Sequence, residues 1–386
     1  MPEKNIELES ITWAESKLTW LAIWENMAYG DGAFVVVPDD QNSKANYSTD
    51  GGATWEESST AGVSFLTGIT YGEGAFIAVS TYRAAKSTDG GKTWSQITLP
   101  DGTRWKDIAY GDDVFVIVSG LNENKSAYST DKGETWTESQ LPIKASEYCI
   151  AYGGGVFVSM AYGAEKAAYS ADGGKTWHEA TVPYKYFVSV AYGDGVFVAV
   201  GGSKAAYSTD FGKTWVETQV PSSVGSLNGI AFGSGAFLIV GEKSATAAFS
   251  VDGGKTWVET PLPISERWYG VAYGDGVFVV TAGYASKNNA IYGRCNTIVK
   301  PTLKKIWTIH DIPTPPDMEA YLAYIRAAMD IFPNTEFPPL PENMNNLTFE
   351  GANNIERVLL KVGELVAEIQ KNRSRIYSGE LQSGGF

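Results

Sequence analysis

Four glutamates, Glu147, Glu165, Glu242 and Glu266, recur at comparable places between apolar runs. They are the groups of this chain best suited to acid–base work. Hydrolysis of a glycosidic bond asks for two carboxyl groups either about 5 Å or about 6.5 to 9.5 Å apart. Each glutamate fits a solvated loop equally well. The histidines, His178 and His310, have no serine or cysteine partner in the pattern that nucleophilic hydrolysis uses. Cys149 and Cys295 are too few for a disulfide framework and read as structural thiols. No glycine-rich phosphate cradle and no cluster with metal-ligand spacing appears, so neither a cofactor nor a metal is expected. The residues point to non-enzymatic binding, with a glycoside hydrolase as the alternative.

A second set of side chains suits recognition rather than bond-breaking. Trp24, Leu66, Trp105, Glu147, Phe187, Leu227 and Trp268 each stand five residues before a recurring Tyr or Phe, with Tyr148 beside Glu147. Trp24, Trp105, Tyr148, Phe187 and Trp268 form an aromatic set that could stack on sugar rings or on a partner's apolar side chains. The alternative is that they plug a central channel. Lys44, Arg83, Lys125, Lys166 and Lys204 each precede another recurring position by three residues and add positive charge to the same side. Together they suggest a carbohydrate carrying phosphate or carboxylate groups, or, if the rim is dry and apolar, a protein partner.

The elements that must position these residues are written in repeats. Ser-x-Asp-x-Gly-x-Thr-Trp occurs six times, ending at Trp55, Trp94, Trp136, Trp177, Trp215 and Trp257, at intervals of 39, 42, 41, 38 and 42 residues. A second motif, Ala-Tyr-Gly-Asp-Gly-Val-Phe-Val at 191–198, alternates with it and occurs seven times. Each period reads as four short strands: in the fifth, Val188 to Tyr192, Val196 to Val200, Ala205 to Ser208 and Thr214 to Thr218. The turns Gly193-Asp194-Gly195 and Asp210-Phe211-Gly212 supply the positive φ that tight hairpins need. Four-stranded units of this period predict an all-β, seven-bladed propeller over residues 1–300. Thr12-Trp13-Ala14-Glu15 looks like an outer strand without its blade, and the last unit, Tyr269 to Tyr292, like a blade without its outer strand. Pairing them closes the ring; the competitor for that place is Lys305-Ile306-Trp307-Thr308.

The repeated motifs resemble the Asp-box, or bacterial neuraminidase repeat, of sialidases, some endoglucanases, sortilin-type receptors and a photosystem assembly factor. The resemblance implies the propeller fold and little about activity, because one fold hosts many functions. Asp50, Asp89, Asp131, Asp172, Asp210 and Asp252 are expected to hold the turns together, not to bind metal or substrate. A sialidase also needs a clamp of three arginines and an Arg-Ile-Pro segment. Residues 1–300 contain only Arg83, Arg104, Arg267 and Arg294 and lack that segment.

Beyond residue 300 the texture changes. Residues 301–316 read as a Pro-rich linker, and 317–386 as a small helical attachment or oligomerisation domain, from the stripes Met318–Phe332 and Ile355–Ile369. Its run from Pro339 through Glu356 to Glu380 resembles C-terminal segments of tail-associated proteins of Firmicutes phages and prophages. That resemblance implies a tail or receptor-binding component whose partners are a cell-surface glycan or glycopolymer and other tail or baseplate proteins. The net charge of −14 divides as 22 basic against 33 acidic residues up to 300 and 8 against 11 beyond, which disfavours nucleic acid and anionic membranes as partners. No signal peptide or long apolar run is seen, so synthesis in the cytoplasm and release on a virion are expected, with a homo-oligomer open.

Overall fold

The computed structural model describes residues 5–100, 103–120, 122–146, 148–242, 244–283 and 289–300. The chain divides into two units, Met1–Thr302 and Leu303–Phe386. The linker and helical segment expected over 301–386, and Trp307 with them, lie outside the described residues.

The first unit is a ring of seven four-stranded antiparallel sheets. Blade 5 shows the pattern: inner strand Ser189–Gly193, then Val196–Gly201, Lys204–Ser208 and the outer Val216–Thr218. The second strand of each blade is buried almost throughout, as in Ala75–Ser80 and Val156–Ala161, because sheets pack on both of its faces. Hence the unbroken apolar runs where a half-exposed strand would alternate. Third strands such as Lys204–Ser208 place alanines, Ala205 and Ala206, where blades approach closely, and both are wholly buried. Inner and second strands are joined by tight turns in the left-handed region, for instance Asp194 at φ 47° and Gly195 at φ 83°.

Neighbouring blades are keyed together by one pair repeated around the ring. The glycine ending each inner strand lies under the recurring aromatic of the next blade: a Cβ on Gly153 would lie 1.9 Å from the Tyr192 ring, and one on Gly193 2.0 Å from Phe232. Gly274 of the last blade receives Tyr29 of the first, so the circuit closes. The boxes form a second circuit: a Cβ on Gly91 would sit 2.7 Å from Val35 of the preceding blade, and Trp94 Nε1 donates to Ser58 Oγ there at 3.1 Å.

The seventh blade is completed by the N-terminal strand. Asn5–Lys17 runs antiparallel to Asn289–Lys300, in a sheet with Val277–Ala282 and Trp268–Gly274. Trp13 stands where the other blades have a box tryptophan and donates to Thr260 Oγ1 of the preceding outer strand at 3.4 Å. The place for which the segment around Trp307 competes is therefore filled.

Candidate functional site

The boxes hold the turns on one face. In the first, Asp50 Oδ1 accepts from Ser48 Oγ (2.8 Å) and Thr54 N–H (2.9 Å), and Oδ2 accepts from Thr54 Oγ1 (2.6 Å). The same bonds recur at Asp89, Asp131, Asp172, Asp210 and Asp252. At Asp131 the hydrogen bonds from Thr135, side chain and backbone, hold the carboxyl down at about 2. These carboxylates have a full set of partners within their own turns and serve the fold.

The opposite face carries the connections between blades and between second and third strands. There the inner strands open on a central cavity of about 370 Å³ lined by residues of all seven blades. The residues that reach it stand four, three and two positions before the recurring aromatic, the last being the apolar Met27, Ile69, Val190, Ile230 and Val271. In four blades the residue four before is the extra member of a β-bulge: Thr67, Lys106, Asn228 and Tyr269 have no partner in register with the second strand. A bulge turns its extra side chain out of the alternation of the strand, here into the channel. Glu25, Val188 and, one residue on, Asn26, Asp107, Cys149 and Ser189 also line it, with Tyr162 and Phe187 at one side.

Several donors of this lining are bound within the protein. Thr67 Oγ1 donates to the Trp105 carbonyl (3.0 Å), Asn228 Nδ2 to the Trp268 carbonyl (3.0 Å) and Asn26 Nδ2 to the Leu66 carbonyl (3.4 Å). Each of these amides has a second N–H and an oxygen beyond that bond. Tyr269 donates to Glu242 (2.8 Å), and burial together with that carboxylate pushes its phenol up. Asp107 is fixed from three sides. Its Oδ1 accepts from Ile108 N–H (2.8 Å), its Oδ2 from Ile150 N–H of the next blade (3.0 Å), and a Cβ on Gly68 of the previous blade would lie 2.8 Å from Oδ1. Burial raises its carboxyl to about 6 against the opposing pull of those N–H groups and Lys106. Burial, with Asp107 nearby, also pushes the Cys149 thiol up.

Exposed apolar side chains stand on the same face. Phe65 (47% exposed), Tyr82 (64%), Tyr186 (37%), Leu21 and Val188 all lie in connections of this face. Phe65 stands at φ 55°, a region bulky residues avoid, with its N–H bound to the Asp40 carbonyl at 2.7 Å. On one sector Tyr162, Tyr184, Tyr186 and Phe187 stack at centroid distances of 5.3 to 5.5 Å, with Lys185 Nζ 5.0 Å from the Tyr186 ring. Gly201 and Gly202 make that sector possible: a Cβ on the first would lie 1.9 Å from the Tyr186 carbonyl oxygen, and one on the second 2.5 Å from Tyr184 Oη.

The aromatic set expected from the sequence is placed differently. Trp24, Trp105 and Trp268 have no exposed surface and Phe187 only 2%; the indoles donate to the carbonyls of Trp20, Pro100 and Ser244. The three tryptophans pack between blades and offer no face to a ligand, whereas Phe187, nearly buried, borders the cavity. Tyr148 opens the inner strand of blade 4, and its side chain is outside the described residues. The cations are turned outward rather than toward the mouth. Lys44 pairs with Glu57 at 2.6 Å, Lys166 with Glu179, Lys204 with Glu217, and Arg83 donates to Gln96 at 3.3 Å, all on the outer strand of the same blade. Lys125 stands in register with Gln140 of its outer strand. Of the carboxylates considered for catalysis, Glu165 is exposed, Glu242 accepts from Tyr269, Glu266 accepts from Asn289 (2.8 Å), and Glu147 is outside the described residues. His178 packs on Tyr169 at 5.3 Å.

Asp107, Glu25, Phe65, Tyr82 and Tyr186 are the residues that spacing alone missed. A signal for Glu25 was present. Five before the aromatic, six of seven repeats carry a large apolar residue; four before, the types are Glu, Thr, Lys, Tyr, Val, Asn and Tyr. A position that varies between otherwise similar repeats is free of the packing that fixes its neighbours.

The BNR/Asp-box repeat matches residues 47–57, 85–96, 168–179 and 206–217. No curated protein matches the sequence. Among solved structures, YCF48 bound to D1 peptide is similar at 16% identity and a TM-score of 0.59, covering 75% of this chain and 100% of that one. Virginiamycin B lyase from Staphylococcus aureus is similar at 16% identity and 0.62, covering 74% and 100%. The catalytically inactive form of that lyase with quinupristin stands at 15% and 0.64, with the same coverage. At these identities the likeness is one of fold. The chain is a seven-bladed β-propeller of four-stranded blades that carries BNR/Asp-box repeats.

Proposed function

We propose that this propeller is a binding protein rather than an enzyme, and that it recognises a cell-surface carbohydrate at the central mouth opposite the boxes. The observation that carries the reading is the cavity itself: a lining of polar and apolar groups drawn from every blade, on the face that also carries exposed aromatic side chains. Aromatic faces beside fixed hydrogen-bonding groups are what a sugar ring requires. The resemblance of the segment from Pro339 to Glu380 to phage and prophage tail proteins supplies the setting, a tail or receptor-binding component joined to its particle through the C-terminal part. In similar folds the bound molecules are a D1 peptide and quinupristin, so the architecture alone does not select sugars. A glycan array and a peptide array, both probed with the full chain, decide between them. Glycan binding is expected, lost in the Phe65→Ala, Tyr186→Ala double variant and kept by Phe211→Ala on the box side. Retention of peptides only, or equal loss in both variants, would sink the proposal.

A hydrolase is the second reading, favoured by one observation: Glu25 and Asp107 line the same cavity, and a carboxyl raised to about 6 suits a general acid. Release of reducing ends from a retained glycan, abolished by Asp107→Asn, would establish it.

A further inference from the structure

We infer that the central cavity receives an ammonium group, so that the sugar presented to it is an amino sugar with its amine free. The inference rests on the carbohydrate reading and goes beyond it by assigning the charge of the ligand, which the sequence suggested to be negative.

The sign of the lining decides against an anion. Among the residues that reach the cavity are two carboxylates, Glu25 and Asp107, and one ammonium, Lys106. The neutral polar groups favour neither sign: Asn26 and Asn228 each give one amide N–H to a backbone carbonyl and keep the other N–H and the amide oxygen. The formal charges decide: an anionic group entering here would meet two carboxylates against one ammonium, whereas an ammonium brings the charge and the hydrogens that carboxylates take. Of the five cations expected at the rim, Lys44, Lys166 and Lys204 are paired instead with Glu57, Glu179 and Glu217.

Asp107 is built to be the anchor. Backbone N–H groups of two blades hold its oxygens, and Gly68 leaves the room in which it sits. Each of those N–H bonds uses one lone pair of one oxygen, and the other lone pairs remain for a ligand. Asp107 is largely withdrawn from water, and a buried carboxylate gains more from a charged partner than an exposed one does. Tyr162 and Phe187 line the same cavity and give the ring an apolar wall. The volume, about 370 Å³, is at the small end of ligand pockets, which suits a terminal residue of a chain whose remainder lies on the rim.

The test is calorimetric titration of the full chain at pH 7 with β-1,4-linked glucosamine oligomers and their N-acetylated counterparts. The free amine is expected to bind at least about tenfold tighter, the range of one charge-assisted bond. Asp107→Asn should remove that preference while leaving the weaker binding of the acetylated oligomer. Lys106→Gln should widen the preference, and Glu25→Gln should narrow it, so the inference stays open to test if Asp107→Asn fails to fold. Equal affinity for the two oligomers, or a preference that survives Asp107→Asn, would overturn the inference and leave the carbohydrate reading standing. Failure of every glycan to bind would remove both. Tighter, Asp107-dependent binding of a lysine peptide would replace the sugar by a peptide amine and overturn it as well.

Discussion

Each box aspartate accepts three hydrogens inside one turn, and this makes the fold sensitive to acid. Hydrogen bonds hold the Asp131 carboxyl at about 2, and at the other five boxes the bonds from Thr and Ser outweigh the effect of burial and lower the carboxyl too. An unfolded aspartate titrates near 4, so the stabilisation is complete above that pH and lost as pH falls from about 4 toward about 2. Melting temperature should therefore not fall from pH 7 to 5, where the raised Asp107 carboxyl gains a proton in the folded state and adds stability, and should drop steeply below 4, with a shallower drop in Asp131→Asn. A profile unchanged down to pH 2 would show that the boxes are not the acid-labile part. The role of these residues was legible in the sequence because six copies repeat both the carboxylate and the Ser and Thr that donate to it. The side chains that face the central channel stand one residue on from the set read from spacing. Spacing brings Trp105 and Trp268 to the start of their strands, but only the bulge at Lys106 and Tyr269 decides which side chain turns into the channel. No residue type announces that bulge.

At the scale of the element, strand order and turns followed from alternation and glycine. In blade 5 the inner strand begins at Ser189 rather than Val188, the second runs on to Gly201, the third begins at Lys204, and the outer begins at Val216, two residues after Thr214. The ends moved because cross-strand bonding, which alternation does not encode, sets them. The glycine at the end of each inner strand reads as part of a turn in the sequence, whereas its work is to admit the ring of the next blade. Gly153→Ala should cost about 1 to 3 kcal/mol in urea unfolding, the usual range for forcing atoms into a filled space. Tyr192→Ala in the same chain should restore part of it, since the clash is with that ring. Additive losses in the double variant would show that the glycine matters for its backbone and not for the contact.

For the whole molecule, closure depends on a strand drawn from the far end of the unit. The counts of seven and six in the repeats foretold this, since the last blade lacked a box and the first residues held Trp13 in the box position. Deleting Asn5–Lys17 leaves the edge of Asn289–Lys300 bare. Such an edge recruits other strands. The truncated chain is expected to self-associate in light scattering and to melt without a single transition, and a synthetic peptide of residues 5–17 should reverse both. A monomer with unchanged melting would show that six complete blades hold the ring unaided. The same seam sets how the ring answers a pull. Tension applied at Lys300 first meets Asn5, Ile6 and Glu7 alone, and peels them one pair at a time. At Arg294 the strand becomes flanked on its other side by Val277–Ala282, and the pull must shear two neighbours at once. A short, weak release followed by a firm stop is the behaviour of a shock absorber.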